Sequence, residues 1–501
     1  MDIGTILRGH ARYRPGRPAV VCGERRLSYK ALHERVSRLA SALEREGVAK
    51  GARVATVTGN CLEMMELFWA CARLGAVFVP LSPLLTERTL AAMLQHAGAG
   101  VVLADIDSAP AVRAASPDVM VKIIVGAPAQ GFRGYDDLLE SGSGEVKAEG
   151  NSHDDPLMII YSSGTTGDPK GIVLSHFARA MYCTLYPSIW RMTPESVALH
   201  AGSLVFNGAY MTLLPSAYLA GRFVLMSGFN AGEIIDTIAH ERVTHMVVVP
   251  TQLVALLGHR DFTAGKVGSL EAVICMGAPL PRRYKDEMCL RLPKRLYELY
   301  GLAEGFQTVL DKLDVEAKPN SVGAPQSFFE IRILDEAGRD LPPGNVGEIA
   351  GRGPIMMQGY YNRPDLTAAA MPDGWLRSGD MGSLDEDGFL YLADRKKDMI
   401  KSGGVAVYPR DIEEVAVTHP SVREAVVFGL PDEKWGETPV AVVVLREDKA
   451  SAEELREWIN ARVGAKFQRV SRVIVLDEVP RNAAGKPLKR VLRERYAGGE
   501  A

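Results

Sequence analysis

Between Ser28 and Gly47 the apolar residues Leu32, Val36, Leu39 and Leu43 recur at helical spacing, which predicts an amphipathic helix with a serine cap and a glycine stop. Residues 53–59 then read as a strand, 62–74 as a helix and 76–81 as a buried strand. The same alternation returns where 244–250 leads into the helical 251–258, and where 271–277 leads into 281–292. Strand–helix alternation of this kind predicts an α/β fold: a large N-terminal domain of doubly covered, mostly parallel sheets. Residues 321–391 differ, with short apolar runs at 329–334, 347–353 and 388–394 separated by Pro-, Gly- and Asp-rich turns, and predict a β-rich subdomain.

Five consecutive charged residues, 394–398, cannot all be buried and mark an exposed connection. Beyond them, helical patterns at 409–419 and 451–463 alternate with strand patterns at 422–430, 439–445 and 472–480. The expected organisation is therefore a large domain over 1–394 and a small α+β domain over 395–501.

Composition narrows the class without naming it. Hydrophobic residues are 47% and charged residues 24% of 501, ordinary globular usage that excludes a disordered or collagen-like chain. With 58 Lys+Arg against 61 Asp+Glu there is no basic field, so nucleic acid is not an expected partner. The six cysteines are scattered, with no paired zinc spacing, and the first residues carry charge throughout without an apolar signal core. Reduced thiols in a cytoplasmic protein are the expectation. Residues 201–221 hold no charge over a bilayer-length stretch, but Ser203, Asn207, Thr212, Pro215 and Ser216 dilute it, so it reads as a buried helix and not as a membrane span.

The segment richest in chemistry is 157–176. An apolar run passes into Ser162, Ser163, Gly164, Thr165, Thr166 and Gly167, followed by Lys170 before a second strand pattern. Hydroxyls and glycines allow backbone N–H groups to approach an anion, and the lysine adds a positive charge, so this is a phosphate cradle. The glycine spacing and the residue after Lys170 differ from the GxxxxGK[ST] loop of P-loop NTPases.

This segment resembles the phosphate loop of the adenylate-forming superfamily, which includes acyl-CoA synthetases, luciferase and nonribosomal peptide adenylation domains. Further matches follow in the family's order: Met276–Leu280, with Gly277, Ala278 and Pro279; Tyr300-Gly301-Leu302-Ala303-Glu304; the segment opened by Gly347; Trp375–Asp380; Asp394–Gly404; and Pro480–Lys486. The resemblance implies ATP, Mg²⁺ and coenzyme A as reactants. It assigns Lys486 to the substrate carboxylate and α-phosphate, Glu304 and Thr165 to the metal, Asp380 and Arg395 to the ribose, and Tyr300 with Gly277, Ala278, Pro279 and Gly301 to the adenine side. It also implies that the small α+β domain is mobile about a hinge at Lys397, a CoA face at Gly403 and Gly404 with Lys466 near the CoA phosphates, and an acyl pocket at Phe206, Asn207, Gly208 and Leu302.

The chain departs from the family at Ala303, where Thr is usual, at Val405-Ala406, and at Phe206, where a His is usual. Asn207 is neutral in a segment where amino-acid-activating relatives carry Asp, which disfavours an α-amino acid. The expected activity is ATP-dependent conversion of an aliphatic or aromatic monocarboxylate, in preference to a dicarboxylate or an amino acid, to its CoA thioester. Loading of a carrier protein without CoA, and a catalytically inactive nucleotide-binding regulator, are the alternatives. The partners expected are the small acid and CoA; the oligomeric state is open, a homodimer included.

Overall fold

The computed structural model describes residues 1–116, 119–146, 150–162, 170–395, 398–402, 405–446, 450–481 and 486–497. It divides into two compact units. The first comprises Met1–Pro319, Gln326–Glu330 and Arg352–Leu376; the second comprises Asn320–Pro325, Ile331–Gly351 and Arg377–Ala501.

In the first unit the predicted helix is Tyr29–Arg45, and Ser28 accepts a hydrogen bond from the Ala31 amide, satisfying one of the free N–H groups of the first turn. Two sheets form the unit. Across one, in spatial order, lie Arg25–Ser28, Pro18–Cys22, Arg222–Leu225, Val197–His200, His245–Val248, Ala272–Met276, Leu296–Gly301 and Gln307–Leu310. All neighbours are parallel except the outermost pair at each of these two ends. The other runs Gly359–Tyr360, Lys170–Ser175, Pro156–Ser162, Val77–Leu81, Arg53–Val57, Val101–Asp105, Val121–Val125 and Arg133–Gly134. Val77–Leu81 is buried throughout, as its unbroken apolar run predicted. Its ladder with Pro156–Ser162 is confined to the Phe78–Met158 pair, consistent with Pro80 having no N–H to donate.

The charge-free stretch 201–221 holds the ten-residue helix Tyr210–Leu219, whose residues Tyr210–Ala217 are buried. No helix among the described residues is long and apolar enough to cross a membrane.

In the second unit Val422–Asp432 and Gly436–Leu445 form a long antiparallel pair, and Arg472–Val475 adds in parallel. Alternate residues explain the apolar runs. Val427, Ala441 and Val443 pack with Ile412, Leu455 and Ile459, whereas Phe428, Val440 and Val442 pack with Leu492 and Tyr496. The sheet is covered on both faces. The β-rich strands Gly347–Arg352, Leu376–Leu384 and Leu390–Arg395 fall largely within this same unit. Arg410 contributes to that grouping by donating to the Leu392 carbonyl at 3.0 Å. The compact units are therefore divided at several points upstream of residue 394.

Candidate active site

The parallel strands of the first sheet deliver their motifs at their C-terminal ends, where ligands collect in open α/β sheets. Ala272–Met276 ends at Gly277, whose φ of +89° is the left-handed conformation that glycine adopts without strain. Ala278 and Pro279 are exposed, and Leu280 turns back into the core. The neighbouring strand Leu296–Gly301 carries Tyr300 and Gly301 at its end. Two buried residues tie these neighbours together. Glu298 accepts from the Leu280 amide at 3.0 Å, and its other oxygen pairs with Lys285 of the following helix, Arg282–Arg291. Both side chains are 2% exposed. Sequence periodicity marks neither residue, because the pair is defined only once strand and helix are adjacent.

Glu304 follows in a tight turn. Gly305 has φ +148°, and a Cβ there would lie 2.4 Å from Met356 Cα, so a side chain is excluded by both conformation and space. The Met357 amide donates to the Glu304 carbonyl at 2.7 Å, and the Tyr360 hydroxyl donates to Glu304 Oε1 at 3.1 Å. The Lys170 ammonium lies 5.8 Å from the centre of the Tyr360 ring. Tyr360 thus joins two residues singled out from the sequence, Lys170 and Glu304, and is itself a site residue the motif reading missed. Burial and the neighbouring carboxylate push its phenol upward, so it remains a donor.

Pro156–Ser162 and Lys170–Ser175 are antiparallel with Ser162 opposite Lys170. Ser163, Gly164, Thr165, Thr166 and Gly167 lie outside the described residues, as does the Ser162 side chain. The acyl-side segment is placed close to the adenine-side strand: a Cβ on Gly208 would lie 3.1 Å from Met276 Sδ. Asn207 and Gly208 are in the short helix Asn207–Ala209, with Phe206 immediately before it. Leu302 is half-buried in the turn that closes back on Phe306.

The remaining predicted residues belong to the second unit. Asp380 and Arg395 are register partners on adjacent strands, which places the two ribose-side candidates opposite one another; the Arg395 side chain is outside the described residues. The Asp380 amide donates to Ser378 Oγ at 3.0 Å. Lys466 is exposed in the short helix Lys466–Gln468. Lys486 is exposed beside a bridge pairing Arg481 with Pro487, and Lys489 at the start of the last helix pairs with Glu413 at 2.9 Å. Lys397, Gly403 and Gly404 lie outside the described residues.

A cavity of about 780 Å³, lined by Val197, Thr244, Glu271 and Arg295 among others, opens at the opposite, N-terminal ends of these strands and is separate from the candidate site. Among the described residues no three His, Cys, Asp or Glu side chains converge to hold a metal. Mg²⁺ commonly takes one or two carboxylates and fills its remaining positions with phosphate and water oxygens. Glu304 is a hard oxygen donor of the required type.

A family model for AMP-binding enzymes matches residues 7–361, and the AMP-binding enzyme C-terminal domain matches 411–486. The chain belongs to the AMP-binding enzyme family. It is an adenylate-forming enzyme of the acyl-CoA synthetase group. It is 34% identical to a feruloyl-CoA synthase of Amycolatopsis sp, covering 97% of both chains. It is also 32% identical to the fatty acid–[acyl-carrier-protein] ligase ScoC of Streptomyces coeruleorubidus, covering 98% of this chain and 96% of that one. The ATP-bound crystal structure of MatB from Rhodopseudomonas palustris superposes with a TM-score of 0.90 at 28% identity, covering 99% of both chains.

Proposed function

We propose that the protein activates an aliphatic or aromatic carboxylic acid with ATP and transfers the acyl group to the thiol of coenzyme A, releasing AMP and pyrophosphate. The observation that carries this reading is the grouping of Glu304, Tyr360 and Lys170 beside the ends of the strands that bear Gly277 and Tyr300. Tyr300 and the Gly277–Pro279 loop flank the adenine, and Asp380 with Arg395 receives the ribose hydroxyls. Lys170 and the hydroxyls of 162–166 bind phosphate oxygens, while Tyr360 holds the Glu304 carboxylate in one orientation. Glu304 and Thr165 would hold Mg²⁺, which would supply charge neutralisation for the leaving pyrophosphate.

The acid's carboxylate attacks the α-phosphorus, and the Lys486 ammonium neutralises charge on the carboxylate and the α-phosphate oxygens as the acyl-adenylate forms. For the second step the segment around Lys397 acts as the hinge that withdraws Lys486 and presents Gly403 and Gly404, with Lys466 toward the CoA phosphates. The CoA thiolate then attacks the acyl carbonyl and AMP leaves. The likeness to a carrier-protein ligase supports a second reading, in which the acceptor is a carrier-borne thiol.

Pyrophosphate release from Mg-ATP across a panel of acids, with and without CoA, tests the proposal. Thioester formation stimulated by CoA is expected; acyl-AMP that accumulates in the presence of CoA and is discharged by an acyl-carrier protein would replace it with the second reading.

A further inference from the structure

The helix His176–Trp190 buries a guanidinium without a carboxylate. Arg179 is 0% exposed. Its Nη1 donates to Asn207 Oδ1 at 2.8 Å, and its central carbon lies 4.7 Å and 4.9 Å from the ring centres of Tyr182 and Tyr210. The two π faces offset part of the cost of removing this charge from water. They do not satisfy its donors: Nε and Nη2 have no hydrogen-bond partner among the described residues.

A chain of buried polar groups continues from this point. Asn207 Nδ2 donates to the Tyr182 hydroxyl at 2.9 Å, the Tyr182 and Tyr186 rings meet edge to face at 4.8 Å, and the Tyr186 hydroxyl donates to Gln307 Oε1 at 2.6 Å. Gln307 is the register partner of Gly301, and its Nε2 also has no hydrogen-bond partner among the described residues. The cluster therefore runs from Asn207 to the strand beside Gly301 and Leu302. Asn207 and Leu302 belong to the acyl pocket that the family resemblance implies, and this inference rests on that placement and on the proposed function.

The unmet groups share one chemistry. Arg179 Nε, Arg179 Nη2 and Gln307 Nε2 are all donors, and the one formal charge among them is positive. Because a guanidinium can only donate, Asn207 must turn its carbonyl oxygen to Arg179; its amide nitrogen gives one proton to the Tyr182 hydroxyl and has a second to donate. Asn207 is half-buried, whereas Arg179, to which it is hydrogen-bonded, is fully enclosed. A wholly apolar acyl tail would leave this charge uncompensated, whereas a negatively charged group on Asn207 would offset it through space, although the enclosed donors themselves stay out of its reach.

We propose that the acid carries a second anionic group, a carboxylate in the simplest case, which docks on Asn207 with the Arg179 charge directly behind it. Arg179 and Asn207 are then specificity-determining residues, and the preferred substrate is a dicarboxylate or a carboxylate-bearing aromatic acid in place of the monocarboxylate expected from the sequence.

The test uses pairs of acids of matched length with and without a distal carboxylate, such as glutarate against pentanoate and 4-carboxyphenylacetate against phenylacetate. Pyrophosphate release by the full-length enzyme should favour the second carboxylate by about tenfold or more in kcat/KM, and Arg179→Met should bring that ratio to about one. Working with the ratio within each variant cancels any loss of folded protein. Asn207→Asp provides an independent arm, since it supplies the missing counter-ion from the chain: the melting temperature should rise while the preference disappears. A wild-type preference for the plain acid in both pairs, or an unchanged ratio in Arg179→Met, overturns the proposal. If no acid yields pyrophosphate, the synthetase reading fails, and the Asn207→Asp melting shift decides the anion site alone: a rise upholds it and a fall overturns it.

Discussion

Glu298→Gln should destabilise the protein far more than its conservative form suggests. Glu298 and Lys285 are each 2% exposed, and the two groups form an ion pair. The amide keeps an oxygen for the Leu280 N–H but removes the negative charge facing a buried ammonium. Removing one member of a buried pair costs about 3–5 kcal/mol, because the other charge stays in a low-dielectric setting. Replacing both members with apolar residues, as in Lys285→Met with Glu298→Leu, removes the charge problem and is often near neutral. It leaves the buried Leu280 N–H without an acceptor, at about 1–3 kcal/mol. The double variant should therefore be more stable than the single one, yet have the higher KM for ATP, because the Gly277–Pro281 loop loses its tether to the strand bearing Tyr300. Urea unfolding followed by tryptophan fluorescence and circular dichroism gives the stabilities, and initial rates give the KM. A cost below about 1 kcal/mol for Glu298→Gln, or a double variant less stable than the single one, would refute the reasoning.

Lys486→Ala should lower pyrophosphate release by about a hundredfold or more while slowing thioester formation from supplied acyl-adenylate by less than about tenfold; equal losses in both assays would contradict its assigned role. Burial pushes the His200 imidazole from 6.5 down to about 4, offset in part by the Ser203 backbone. The unfolded chain then binds more protons than the folded one between those values, so stability falls as pH drops from about 6.5 to about 4. His200→Gln should make that decline shallower, as read from urea midpoints across the range, and an unchanged slope would count against the burial argument. All six cysteines are free, with Cys71, Cys183 and Cys275 buried and burial pushing the Cys183 thiol up to about 12. An aromatic disulfide reagent should titrate all six only after denaturation, and a lower count in denaturant without reductant would reveal a disulfide.

Local stereochemistry is why much of the fold was legible in the chain. Ser28 caps its helix, and the Ser451–Glu454 capping box opens Ala452–Arg462, because each of these contacts is made within four residues. The strand–helix alternation follows from apolar spacing, and the phosphate loop, Gly277 and the Tyr300–Glu304 run are contiguous motifs whose chemistry is carried by residue type and short spacing. Tertiary structure decided which distant side chains became partners. Tyr360 reaches Glu304 across 56 residues, Gln307 reaches Tyr186 across 121, and Arg179 reaches Asn207 from a helix whose pattern reads only as a covered face. Tertiary structure also drew residues 320–325 and 331–351 into the C-terminal unit. Periodicity reports that a side chain is covered. The partner that covers it, and whether a buried charge there is compensated, depends on which strands and helices become neighbours, and the linear pattern does not specify that.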